Sequence, residues 1–223
     1  MISILMKILL KPQPKMNFDP EEIVVYNKLI FKMHQGQLDP KSIPFQKYRF
    51  LQYLALKEDF VFHGSNNTKI EILEPRVQTL FNGRSSKVVF ATADPIWSAF
   101  YAVFDRSKLM GSFRNGCLVY KGKKYHYYSL NKSTMEKNPW TQGMIYIFKK
   151  DKFTLTDNRR IYFDEWVCYD SVKPVSQLEV SAEDFDYIDK VATHKNNESL
   201  IKTLLLYKMR TLRARSRTDM ADK

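Results

Sequence analysis

Between Phe60 and Val180 the chain is a succession of short runs of β-branched and aromatic residues. That texture restricts it to a fold built on antiparallel sheets. Strands are predicted over 60–62, 87–91, 117–120, 125–130, 144–148, 153–155, 165–169 and 175–180, with 70–73 a short strand or a turn. Gly122-Lys123 joins two of them as a hairpin. Helical spacing brackets this region on both sides. Asp19-Pro20-Glu21-Glu22 is a helix start, an acidic N-cap followed by proline and acids at the positive end of the dipole. That helix runs to about 35 or 36 with Ile23, Tyr26, Ile30 and Met33 on one face, and 45–56 forms a second with Phe50, Leu51, Leu54 and Ala55. Asp94-Pro95 caps a helix through Phe104 inside the β-rich part, and 183–191 is a short helix. A long helix over 198–212 carries Leu200, Ile201, Leu204, Leu205 and Met209 as its apolar face and ends in a basic cluster of Lys208, Arg210, Arg213, Arg215 and Arg217. The fold class is therefore α+β, with a helical N-terminal cap, an antiparallel core and a basic C-terminal helix.

Lys and Arg number 36 against 24 Asp and Glu, a formal charge of +12. A surface so charged attracts anions: nucleic acid, acidic lipid or phosphate-bearing small molecules. The basic helix end has a plainer reading too, since cations there complement the helix dipole. Cys117 and Cys168 are too far apart in sequence, and too far from any histidine pattern, to read as metal ligands; no metal is expected. Two buried reduced thiols in a cytoplasmic protein are expected instead, with a structural disulfide between them as the alternative. The apolar run over 2–10 is broken by Lys7 and is too short to span a bilayer, and no small-residue cleavage site follows it. Lys11-Pro12-Gln13-Pro14-Lys15 reads as an irregular linker.

Three short segments carry candidate chemistry. His63 closes an apolar strand and is followed by Gly64, whose missing Cβ lets a ligand approach the backbone, while the imidazole can donate to a ribose hydroxyl. Ser65 either bonds a ligand or closes the turn. Ser98 and Tyr101 are one helical turn apart on one face, so a flat heteroaromatic ring can stack on Tyr101 while Ser98 meets its carboxamide. A buried helix face is the alternative reading of that pair. Glu165 stands beside Trp166-Val167-Cys168-Tyr169, where a carboxylate is either desolvated and working or turned outward on a period-2 strand. Glu74-Pro75-Arg76 adds a guanidinium suited to a phosphate or carboxylate, or to its own loop.

In this order, His63-Gly64-Ser65, Ser98-x-x-Tyr101 and Asp164-Glu165-Trp166-Val167-Cys168-Tyr169-Asp170 resemble the NAD-binding signature of the ADP-ribosyltransferases, above all the poly(ADP-ribose) polymerase branch. The resemblance covers roughly 60–180 and implies a split antiparallel core that binds NAD between two small sheets. It divides the chain into an extension over 1–15, a helical cap over 16–58, the transferase-like domain over 59–190 and a C-terminal helix with basic tail over 191–223. It implies that His63 holds the adenosine-side ribose, Gly64 and Ser98 the nicotinamide carboxamide, Tyr101 the nicotinamide ring, and Glu165 the catalytic carboxylate. One position departs: Val89 in Lys87-Val88-Val89-Phe90-Ala91 stands where that family has its triad tyrosine. The chain also resembles uncharacterised bacterial proteins with His-Gly-Ser-Asn, Leu-Glu-Pro-Arg and Val-Phe-Ala-Thr segments. The expected activity is transfer of ADP-ribose from NAD to a protein or nucleic-acid acceptor. The alternatives are an inactive NAD-binding or interaction module, and an RNA 2′-phosphotransferase-like enzyme.

Overall fold

The computed structural model describes residues 2–39, 43–57, 59–81 and 83–221, with side chains through 212. Its helices in chain order are α1 (Ile2–Leu9), α2 (Pro20–His34), α3 (Lys47–Leu56), α4 (Pro95–Val103), α5 (Lys132–Met135) and α6 (Leu200–Ala221). The first six strands are β1 (Lys11–Pro12), β2 (Phe60–Ser65), β3 (Arg76–Thr79), β4 (Ser85–Ala91), β5 (Phe113–Tyr120) and β6 (Lys123–Asn131). The remainder are β7 (Gly143–Lys149), β8 (Thr154–Leu155), β9 (Ile161–Phe163), β10 (Trp166–Cys168), β11 (Ser176–Val180) and β12 (Val191–His194). The class is α+β, as the alternating texture predicts.

Three sheets share the strands. The first runs β1-β6-β5-β9, with β12 joining β6 in parallel; the second runs β3-β4-β10-β8; the third runs β11-β7-β2. Every other pairing is antiparallel. The β5–β6 hairpin turns through Lys121 and Gly122, both at positive φ, the two-residue turn whose twist matches the strands. The second and third sheets meet where Phe62 and Thr92 exchange both backbone hydrogen bonds, at 2.7 and 2.9 Å. The largest buried cluster joins α2, α3 and α4 to the third sheet and to β5 and β6, and a smaller one around Val61, Val89, Tyr146 and Cys168 lies between the second and third sheets.

Several expectations change. The segment read as a linker supplies β1, which pairs Lys11 with His126 and Pro12 with Tyr125. Strands β3, β9 and β12 are too short or too polar to announce themselves. The helix expected over 183–191 is two 3-10 turns, Ala182–Asp184 and Ile188–Lys190, the first fixed by the reciprocal cap between Ser181 and Asp184. In α2 the buried apolar residues are Tyr26, Leu29 and Met33, while Ile23 is exposed. In α6 the inward face is Thr203, Tyr207 and Thr211, and the residues expected to be its core face, Leu200, Ile201, Leu205 and Met209, are exposed. Leu204 alone of that set packs, against the cluster of α1, β6 and Tyr207.

The contact that places everything near the candidate residues is α4 lying on the ends of β2 and β7. A Cβ on Gly64 would sit 1.9 Å from the Ser98 carbonyl oxygen, and one on Gly143 would sit 1.9 Å from the Ala102 carbonyl oxygen. Two glycines on neighbouring strands therefore let the helix backbone rest directly on the sheet. The missing Cβ of Gly64 makes room for the helix, while the residue itself lines the cleft. Gly64→Ala should accordingly lower stability by about 1–3 kcal/mol or more, because the three offended atoms are all backbone; a urea midpoint indistinguishable from wild type would contradict this packing.

Candidate functional site

Asp94 begins the site. Its Oδ1 accepts from the Trp97 backbone N–H at 2.7 Å and caps α4, as the Asp-Pro signal predicts. The helix then projects Ser98 and Tyr101 from one face into a cleft at the junction of β2 and β4. On the opposite wall the chain turns after β9 and re-enters as β10. Glu165 occupies that turn, one residue before the strand rather than within it. Thr156 donates its backbone N–H to the Glu165 carbonyl at 3.0 Å and fixes the turn.

A cavity of about 190 Å³ lies between these elements and is lined by His63, Gly64, Ser98, Tyr101 and Glu165 with Phe62, Phe90, Trp97 and Arg106 among its other walls. A more polar cavity of about 520 Å³ adjoins it, sharing His63, Gly64, Tyr101 and Arg106, and adds Ser65, Glu74 and Arg76. The candidate residues separated by up to a hundred positions in sequence thus meet in one cleft. Ser65 and Arg76 border only the larger lobe. The Ser65 hydroxyl oxygen accepts from the Asn67 N–H at 3.1 Å, so it also closes the turn.

The electrostatics of each group follow from its surroundings. His63 Nδ1 lies 2.7 Å from the Phe90 carbonyl. A carbonyl only accepts, so Nδ1 carries the proton and Nε2 is left as an acceptor. Burial lowers the His63 pKa, the Phe90 bond opposes this, and Arg106 and Arg76 reinforce the lowering. The neutral ring therefore offers an acceptor to a hydroxyl, which reverses the donor role expected from sequence. Burial raises the Glu165 pKa, opposed by the Phe81 N–H and by Thr156. Burial likewise raises that of the Tyr101 phenol. Ser98 is 1% exposed and its Oγ has no hydrogen-bond partner within the protein. A buried hydroxyl in that state marks a place where a polar group belongs. Val89 is buried in the cluster between the second and third sheets and borders the larger lobe, where its side chain offers no hydroxyl.

Arg106 is the residue sequence reasoning missed. It follows α4 in a 3-10 turn, and its guanidinium sits 5.2 Å from the Tyr101 ring centre and 5.6 Å from that of Phe113. Among the described residues neither Arg106 nor Arg76 has a carboxylate within ion-pair distance. Two unpaired guanidiniums border the larger lobe, and no periodicity or motif around Arg106 signals this.

Behind the cleft a buried charge cluster ties its two walls together. Lys124 Nζ lies 2.9 Å from Asp164 Oδ2 and 3.7 Å from Asp94 Oδ2, and donates to the Ala93 carbonyl at 2.8 Å. His126 Nε2 is 3.1 Å from Asp94 Oδ1. Burial alone would lower the Lys124 pKa, but Asp164 and Asp94 outweigh it and raise it. Burial would raise Asp94, but His126 and Lys124 hold it well below the usual carboxylate range. Asp94, Cys117 and His126 also bring possible metal-binding atoms within 4.8 Å of one another, with the Lys124 ammonium already supplying a cation beside Asp94. Cys117 and Cys168 are buried and free, as composition predicts.

Asp94 is unfolded-state carboxylate with a value near 3.8 and a lower value when folded. Its contribution to stability is thus present above pH 3.8 and lost as pH falls through the folded value. Lys124→Met removes the shared partner of two buried carboxylates and should cost about 3–5 kcal/mol at pH 7. Without Lys124 the buried Asp94 carboxyl keeps His126 but loses the second group that holds it ionised, so the gap from wild type should narrow as pH drops through about 4. A deficit independent of pH would show that the ammonium acts through packing alone.

Comparison with protein-family models, with curated proteins and with solved structures finds no match to this chain.

Proposed function

We propose that the cleft binds NAD and that the protein is an ADP-ribosyltransferase-like enzyme, transferring ADP-ribose to a protein or nucleic-acid acceptor with release of nicotinamide. The observation that carries this reading is the convergence of His63, Ser98, Tyr101 and Glu165 on one small lobe. A lobe of that size holds one flat ring. Tyr101 stacks on it, and the unpartnered Ser98 hydroxyl meets its carboxamide. The larger lobe takes the remainder of the dinucleotide, with Arg76 and Arg106 beside the diphosphate and the His63 Nε2 accepting from a ribose hydroxyl.

In the reaction the bond between the nicotinamide nitrogen and the ribose C1′ breaks, and its electron pair leaves with nicotinamide. Positive charge grows on the ribose, and the Glu165 carboxylate faces it. An acceptor nucleophile then bonds C1′ and gives up its proton. Free buried thiols and a nicotinamide substrate both suit a cytoplasmic setting. The second reading, an NAD-binding module without turnover, is favoured by Val89, which leaves the cleft without the triad hydroxyl of the family that the signature resembles.

Glu165→Gln keeps the shape of the side chain and removes its charge. Nicotinamide release should fall by roughly 10²-fold or more with NAD affinity little changed, since the lost interaction strengthens only in the transition state. Burial raises the Glu165 pKa, so its carboxylate forms at a higher pH than that of an exposed glutamate. The acid limb of turnover should therefore be displaced upward from that of an exposed glutamate and be absent from the glutamine variant. Tight NAD binding without turnover in the wild type would select the module reading, with Val89→Tyr as the test of what is missing.

A further inference from the structure

Helix α6 is amphipathic the wrong way round for a helix that only packs on its own sheet. Its inward side is Thr203, Tyr207 and Thr211, with Tyr207 fully buried and its hydroxyl donating to the Lys190 carbonyl at 2.8 Å. Four-residue steps put Ile201, Leu205 and Met209 on the opposite side, and all three are exposed, Ile201 at 72%. Beside it lies α1, where Met6 is buried while Ile4, Leu5 and Ile8 face solvent, Ile4 at 63%. Lys208 Nζ donates to the Lys7 carbonyl and links the two helices. Six large apolar side chains on two adjoining helices are more than scattered surface hydrophobics.

The two segments that carry them are predominantly basic. Residues 1–16 hold three lysines and no acid, and residues 199–223 hold seven Lys and Arg against Asp219 and Asp222. Lys202 and Lys208 fall on either side of the Ile201–Leu205–Met209 row by helical position. No helix among the described residues is long and apolar enough to cross a membrane. Neither lobe of the cleft borders this face. A second copy of the chain would bring like charge against like charge here. An apolar row bracketed by cations on an exposed helix pair instead matches an anionic bilayer surface, which takes apolar side chains at the acyl boundary and cations at the head groups.

We infer that the α1–α6 face docks the protein on anionic lipid membranes, with both helices lying in the interface. The inference is independent of the reading of the cleft. Flotation of the full chain with vesicles of phosphatidylcholine and phosphatidylglycerol, about 3:1, tests it against pure phosphatidylcholine vesicles. Binding should occur to the anionic vesicles only and weaken as salt rises from about 0.1 to 0.5 M. Ile201→Ser with Leu205→Ser should weaken it at least about tenfold. Their thermal midpoint without vesicles should stay at the wild-type value, since both side chains are exposed. Lys202→Glu should reduce binding and flatten the salt dependence. Wild-type protein that stays with neither vesicle overturns the inference. So does anionic binding that the Ile201 and Leu205 changes leave intact, because that would be charge attraction without insertion. A vesicle-free dimer by light scattering that the same changes dissociate would assign the face to a second copy instead.

Discussion

A single ammonium organises the site. Lys124 stands between Asp94 and Asp164. Asp94 caps the helix that carries Ser98 and Tyr101, and Asp164 precedes Glu165 in the turn that aims it at the cleft. Trp166 adds a 2.8 Å bond from its indole N–H to Asp164 Oδ1. Two buried carboxylates that share one ammonium, with His126 as a further partner of Asp94, depend on those partners, because a desolvated charge left alone is costly. The two walls of the cleft are therefore held by the same group, and their separation is not left to loop packing.

The second constraint is steric. Gly64 and Gly143 seat α4 directly on the backbone of β2 and β7, so the helix approaches more closely than side chains would allow. That closeness brings Ser98 to the wall of the small lobe. The cap sets the helix direction, the glycines set its height, and the ladder between Phe62 and Thr92 sets where the second sheet meets the third. The placement of the Tyr101 ring, of an acceptor at His63 and of the Glu165 carboxylate in one cavity follows from that frame.

Local signals in the sequence were sufficient for much of this. The Asp94-Pro95 cap, the hairpin at Gly122 and the His63-Gly64-Ser65 strand end are short-range features, and their residues say what the backbone does. Ser98, Tyr101 and Glu165 were identifiable as candidates, although only the fold brings them together. What stayed hidden depends on distant partners. Gly64 is followed by a serine and looks ready for a ligand, yet the atom that needs its missing Cβ belongs to Ser98. His63 reads as a donor until the Phe90 carbonyl takes its proton-bearing nitrogen. Arg106 lies in no motif, and its place beside Tyr101 depends on a 3-10 turn. The outward face of α6 was misassigned because apolar spacing tells which residues share a face and not which face is covered.

The account turns on whether the small lobe takes a nicotinamide ring. Calorimetric titration of the protein with NAD, repeated in the presence of nicotinamide and with Tyr101→Ala, tests it most directly. Saturable binding of NAD, competition by nicotinamide, and a loss of about 1–3 kcal/mol in the alanine variant are the predicted results. No heat and no thermal shift at millimolar NAD would contradict both the enzyme and the binding-module readings of the cleft.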